Sequence, residues 1–423
     1  MKRRETRPHR RDAKSAEKTI ETRQRSGFGL RLLGPVFFGR NLASLCALCT
    51  SAASISAFFL SCSGALYFAD LSTEDEAAGW AQIGGNPERT GYAPEGVDPP
   101  LKLLTRMKAG SAITGAPMVR GKAAYAVGAD GRAGAWDRKT GASLGRWRRK
   151  GRVFGAPALG DGLLMVPNYK KREELVALDL RSGKVRWRLR EKMTSPPLLS
   201  EDRLFVTTAS RAVLSLNASD GGVRWRYDME GTTSFSAALG DTMLYVGTDK
   251  GMVALSEGSG ELLWSQKAPG SIRGMPAVGA DGVYVGSTGG AVFRLDRTSG
   301  EVVWRFDLEG GIYGGCALDQ THVYFGATDR KLYALNRADG QQVWCFETGG
   351  VIRAAPVTTG RTVYVGSMDG FFYGIAADSG ALLFKYETKG DLISPAALVE
   401  DGVYVGCTDG SLYAFVGEKP PPN

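Results

Sequence analysis

The chain has 423 residues, 43% of them hydrophobic, enough to bury a large core, and carries a formal net charge of +9. Residues 1–40 hold twelve Lys or Arg against four Asp or Glu, so residues 41–423 are left with a net of only +1. That near-neutral body lacks the broad basic face needed to hold a phosphate backbone, which argues against nucleic acid as a partner.

Taken in order, the basic leader (1–40) precedes a stretch from Asn41 to Ala69 without a charged residue. The run Leu42–Leu60 is long enough to span a bilayer. Basic residues precede it and Asp70, Glu74, Asp75 and Glu76 follow, which orients the N-terminus to the cytoplasm and the remainder outside. A signal peptide and a retained anchor both fit 41–69, although a 40-residue leader is long for a signal peptide. Phe59-Leu60-Ser61-Cys62 is similar to a bacterial lipobox in which Cys62 is lipidated; a small hydrophobe in a membrane helix is the alternative for that cysteine. Residues 70–100, with Asn86-Pro87 and Asp98-Pro99-Pro100, read as an extended linker.

From Gly141 to Phe384 one unit repeats seven times. Its turn glycines stand at 141, 183, 221, 260, 300, 340 and 380, at intervals of 38 to 42 residues. A period of this size built from short apolar strands predicts an all-β propeller with one four-stranded antiparallel blade per repeat. In the type repeat, Ile272–Val278 is expected as strand A, Gly282–Ser287 as B, Ala291–Asp296 as C and Glu301–Phe306 as D. Trp187, Trp225, Trp264, Trp304 and Trp344 each fall four residues after a turn glycine, with Phe384 in the same slot. They are expected to dock neighbouring blades. In the first repeat Gly145 takes the slot and Trp147 lies two residues late.

Strand A recurs eight times, starting near Ile113, Val153, Met193, Thr233, Ile272, Ile312, Ile352 and Leu392, and the last repeat ends after strand C. Leu101–Arg106 is a strand without a repeat of its own. Its Thr105 precedes Pro117 by the same twelve residues that separate Trp264 from Pro276 and Trp344 from Pro356. It is therefore expected to complete the eighth blade and close the ring over 101–417, leaving 418–423 as a tail. Closure removes the edges that an open sheet would expose.

Few residues offer chemistry. His9 and His322 are the only histidines, which argues against a His-based triad or a His-rich metal centre. Asp249, Asp329, Asp369 and Asp409 fall at B–C turns, where local hydrogen bonding favours aspartate. No metal site and no catalytic residue is expected. Asn217-Ala218-Ser219 matches a glycosylation acceptor but lies at a C–D turn. Cys316, Cys345 and Cys407 show no pairing pattern and are expected as buried free thiols. One ligand-binding candidate remains: Arg273, Tyr313 and Arg353 occupy equivalent positions at the start of strand A in blades five to seven. There they could line one mouth of the central channel and suit a carboxylate; solvated rim residues paired with nearby glutamates are the alternative.

The repeat Ala177-x-Asp179-x-x-Ser182-Gly183-Lys184-x-x-Trp187 resembles the tryptophan-docking motif of pyrroloquinoline quinone (PQQ) dehydrogenases and their non-enzymatic relatives. Trp80 to Asn86 and Thr90-Gly91-Tyr92 resemble the segment that precedes the propeller in that superfamily. The resemblance covers about 80–416. It implies, for the quinone enzymes, a disulfide between adjacent cysteines, a calcium site and a catalytic Asp. This chain has no adjacent Cys pair and no long blade insertions. The resemblance is closer in character to the BamB type, a lipid-anchored periplasmic propeller that serves as a scaffold in outer-membrane protein assembly. It implies no cofactor, envelope proteins as partners, attachment to the membrane through an N-terminal anchor or lipid, and a periplasmic location at the outer or inner membrane. A PQQ-binding oxidoreductase and a ligand-sensing ectodomain remain the alternatives.

Overall fold

A computed structural model describes residues 79–418, apart from 149–151, 154, 169–173 and 233–236. The leader, the apolar run, Cys62, Thr233 and the last five residues lie outside the described set. Eight antiparallel sheets are arranged as blades, each running from an inner strand A to an outer strand D. In blade 5 these are Ala277–Gly279, Gly282–Ser287, Ala291–Leu295 and Val302–Asp307. Strands B, C and D fall within a residue of their expected bounds. Strand A does not: the expected Ile272–Val278 pairs only from Ala277, with Ile272 bridged singly to Ser287. Pro276 has no N–H to give to a ladder, and a Cβ on Gly274 would lie 1.8 Å from Gly314 O of the next blade. At this level the inner strands touch backbone to backbone.

The eighth blade joins the two ends of the described chain. Leu101–Lys108 pairs antiparallel with Ser411–Gly417, placing Thr105 opposite Ala414 just as Trp344 lies opposite Ala334 in blade 6. A register shift directly before the slot occurs in this strand, between Leu103 and Thr105, and recurs before the docking position in all seven other outer strands. A bulge on an outermost strand bends the free edge and blunts it against further pairing.

Docking follows one geometry. Four of the five indoles pack on an aromatic of strand B in their own blade: Trp225 on Phe205 at 5.9 Å, and Trp264 on Tyr245, Trp304 on Tyr284 and Trp344 on Tyr324 at 5.8 Å between centroids; Trp187 clusters instead with Met165. Every one of the five follows the same polar rule. The Nε1–H donates across the seam to a carbonyl in the C–D turn of the next blade: Trp187 to Ala218, Trp225 to Glu257, Trp264 to Arg297, Trp304 to Arg337 and Trp344 to Ala377. The turn glycine is needed there twice over. Gly300 has φ +75°, and a Cβ on it would meet the Trp264 ring at 2.5 Å. Phe384 has no N–H and packs instead on Phe372 and Phe415. Trp147, two residues late, is still buried among Val153, Leu159 and Val176 at the seam between blades 1 and 2.

Candidate functional site

The described part of the expected linker, 79–100, does not hang free. Gly79–Trp80 adds a fifth strand inside blade 1, with Trp80 opposite Val119. The chain then passes round the inner edge of the ring. Leu159 N–H donates to Ala81 O, Leu239 to Pro87 O, Val278 to Glu88 O, Leu318 to Thr90 O and Thr358 to Gly91 O, while Gln82 pairs its amide with both backbone groups of Leu199. Positions 119, 159, 199, 239, 278, 318 and 358 are the same site in seven successive blades. These amides lie on the inner edge of strand A, where the blade itself offers no acceptor, so the segment supplies one partner per blade. At the eighth blade Gly96 rests against Leu398.

Arg89 fastens this segment across the ring. It is fully buried, sits at φ +59°, and donates to Ala237 O, Pro197 O and, at close range, Ile83 O. Burial without a carboxylate partner lowers its guanidinium to about 9, still a cation at neutral pH. Beside it the Ile83 side chain packs with Ala116, Ala156, Met275 and Ala355 from four blades. An apolar cluster thus lies where the segment crosses the inner strands.

Two residues back along the same extended segments, Arg273, Tyr313 and Arg353 share the channel-facing side with Met275, Gly315 and Ala355. The structure brings them together: a Cβ on Gly314 would lie 2.9 Å from Arg353 O, and the Arg353 guanidinium stands 5.6 Å from the Tyr313 ring centroid. Both arginines are exposed and Tyr313 is half-buried.

The aspartates of the neighbouring B–C turns are already engaged within their own sheets. Asp329, Asp369 and Asp409 accept from Tyr333, Tyr373 and Tyr413 of strand C, and Asp249 accepts from Thr232. Burial first, then the aspartate, pushes these three phenols above the usual range. Sequence reasoning placed the aspartates as structural and missed their tyrosines, although the D-x-x-x-Y spacing recurs in three consecutive blades.

Other candidates settle simply. His322 accompanies Asp319, Thr321 and Tyr324 at a turn, and Asn217 accepts from Ser219. Cys316 and Cys407 are buried free thiols, with burial raising Cys316 to about 12. Cys345 differs from expectation: it is exposed, because it follows the inward Trp344 on an outer strand and so faces away. Among the described residues no group of His, Cys, Asp and Glu is placed to hold a metal.

Eight four-stranded blades, five of their seams docked through an indole at a C–D turn, with an N-terminal segment bonded along the inner strands, define a PQQ-like propeller. The sequence profile of the family described as outer membrane protein assembly factor BamB matches residues 102–189, 171–301 and 288–419. The chain belongs to that family. Curated relatives of that name share 31% identity over 121 residues in Legionella pneumophila (strain Paris) and 29% over 132 residues in Nitrosomonas eutropha. Those stretches are 28% and 30% of this chain, and it spans about a third of the length of each relative (32%).

Among solved structures, BamB from Moraxella catarrhalis superposes with a TM-score of 0.64 at 21% identity, covering 75% of this chain and 99% of its own. Quinohemoprotein alcohol dehydrogenase from Comamonas testosteroni superposes at 0.69 with 16% identity, covering 82% of each. At these identities both likenesses concern the fold alone.

Proposed function

We propose that this protein is a non-catalytic, membrane-tethered propeller of the bacterial cell envelope, acting as a protein-interaction scaffold in outer-membrane protein assembly. The observation that carries this is the match of the BamB family profile along 102–419, which takes in every blade. The site chemistry supports it. Apart from a mouth of two arginines and a tyrosine, the aspartates described at the neighbouring turns, Asp329, Asp369 and Asp409, hold their own blades together. The sequence contains no adjacent cysteines of the kind that cover the quinone in the PQQ dehydrogenases.

The tether is the apolar run 42–60, either retained or ending in a lipidated Cys62, and the propeller lies in the periplasm. Mass spectrometry of the mature N-terminus tests the tether: an acylated Cys62 or an intact leader supports attachment, and a free N-terminus beyond residue 62 contradicts it. Titration of the full chain with PQQ and calcium tests the oxidoreductase alternative. The scaffold reading predicts no saturable quinone absorbance and no dye-linked alcohol oxidation.

A further inference from the structure

We infer that the open mouth of the channel is a carboxylate-binding site built from Arg273, Arg353 and Tyr313. The inference deepens the scaffold reading by naming the chemistry through which a partner would be gripped.

Three observations converge. Beyond the arginines lies the buried cluster of Ile83, Met275, Ala116, Ala156 and Ala355, which gives the mouth an apolar floor. Their positive charge is uncompensated. Among the described residues neither Arg273 nor Arg353 has an ion pair or hydrogen bond to a carboxylate, and the aspartates of the adjoining turns are bound to Tyr333, Tyr373, Tyr413 and Thr232. The alternative, rim arginines bonded to nearby glutamates, is not the arrangement found among the described residues.

The third observation is preorganisation. The inner strands of blades 5, 6 and 7 touch at Gly274 and Gly314, which crowds the three side chains onto one arc, and Arg353 lies over the Tyr313 ring. A guanidinium held over an aromatic face keeps its planar fork of N–H donors free, and that fork matches the two oxygens of a carboxylate. The corresponding positions in blades 1, 3 and 8 are Thr114, Thr194 and Ile393, so the charge is confined to one side of the mouth. Such a site takes a carboxylate carried either by a small acid or by an acidic side chain of a partner polypeptide.

Isothermal titration of the full chain in detergent, with sodium benzoate, a tetraglutamate peptide and inorganic phosphate as probes, tests the inference. The expected result is saturable binding of at least one carboxylate probe, weakened tenfold or more in the double variant Arg273→Gln/Arg353→Gln, whose melting temperature should match the parent because both residues are exposed. Tighter binding of the peptide assigns the carboxylate to a partner protein; tighter binding of benzoate assigns it to a small acid. Arg353→Lys, which keeps the charge and loses the planar fork, should fall between parent and double variant. No saturable carboxylate binding, equal binding by the double variant, or phosphate binding as tight as either carboxylate would overturn it. Capture of envelope proteins by the parent chain is measured separately, so failure of carboxylate binding and failure of the scaffold reading are distinguishable.

Discussion

Thr105 packs against Gly141 at the seam of blades 8 and 1, in the position that Trp264 holds against Gly300 at the seam of blades 4 and 5. A Cβ on Gly141 would meet Thr105 Oγ1 at 2.6 Å, and one on Gly300 would meet Trp264 Cε3 at 2.5 Å. That seam thus has the docking geometry without the indole. The two ends of the described chain meet inside blade 8, where Leu101–Lys108 pairs with Ser411–Gly417 and Arg106 bonds Asp409 at 2.6 Å.

Asp409 is nearly buried and also accepts from Tyr413, so Asp409→Ala leaves a cation and a phenol without their acceptor. We expect a loss of about 3 kcal/mol. Asp369→Ala, at the same turn in blade 7, loses the phenol of Tyr373 and the Gly349 amide but no arginine. It should cost about 1 to 2 kcal/mol. Thermal unfolding of the two variants side by side checks the order; a costlier Asp369→Ala contradicts the closure account.

The indoles should matter more than the phenylalanine in the equivalent slot. Trp304→Leu removes ring contacts with Tyr284 and the bond to Arg337 O, an expected cost of about 3 kcal/mol. Phe384→Leu removes only ring contacts and should cost roughly half as much. Chemical denaturation followed by tryptophan fluorescence and circular dichroism measures both.

Acid sensitivity should trace in part to the C–D turns. Hydrogen bonds from the Ser299 amide, then from the hydroxyl and amide of Thr298, hold the Asp296 carboxyl down at about 2, and Asp137 and Asp179 are lowered by the same kind of turn. A carboxyl whose folded value lies below its unfolded one stabilises the fold above the unfolded value, near 3.8, and that contribution is lost as pH falls toward 2. Asn217 and Asn336 fill the same turn position in blades 3 and 6 and accept the same kind of bond. Asp296→Asn should therefore fold normally and show a shallower loss of stability between pH 4 and pH 2. An unchanged pH slope contradicts the assignment.

The inner segment should depend on Arg89. Arg89→Met keeps much of the volume but leaves the carbonyls of Ile83, Pro197 and Ala237 without donors, at an expected cost of about 3 kcal/mol. Amide exchange of Leu159, Leu239, Val278, Leu318 and Thr358 should quicken together, because all donate to the segment that Arg89 fastens. Unaltered exchange at these five amides would show that the segment holds without the arginine.

The ring was legible because its determinants are side chains at a fixed period. Turn glycines and tryptophans mark each blade, and the twelve-residue interval from Thr105 to Pro117 locates the closing strand even without its indole. The path of 79–96 was not legible, since backbone carbonyls meet backbone amides there and leave no trace in residue type. Arg89, inside Asn86-Pro87-Glu88-Arg89-Thr90, reads as part of a polar turn, and only the ring around it shows that it is buried. For the mouth, the sequence located Arg273, Tyr313 and Arg353 by register. It could not tell that the nearby aspartates were already spoken for by tyrosines on another strand.

The scaffold account is tested most directly by purifying the full chain from its own cell envelope in mild detergent and identifying what accompanies it by quantitative mass spectrometry. The account predicts enrichment of components of outer-membrane β-barrel assembly over a mock purification. Recovery of the protein free of those components, under conditions that preserve other envelope complexes in the same extract, would contradict it.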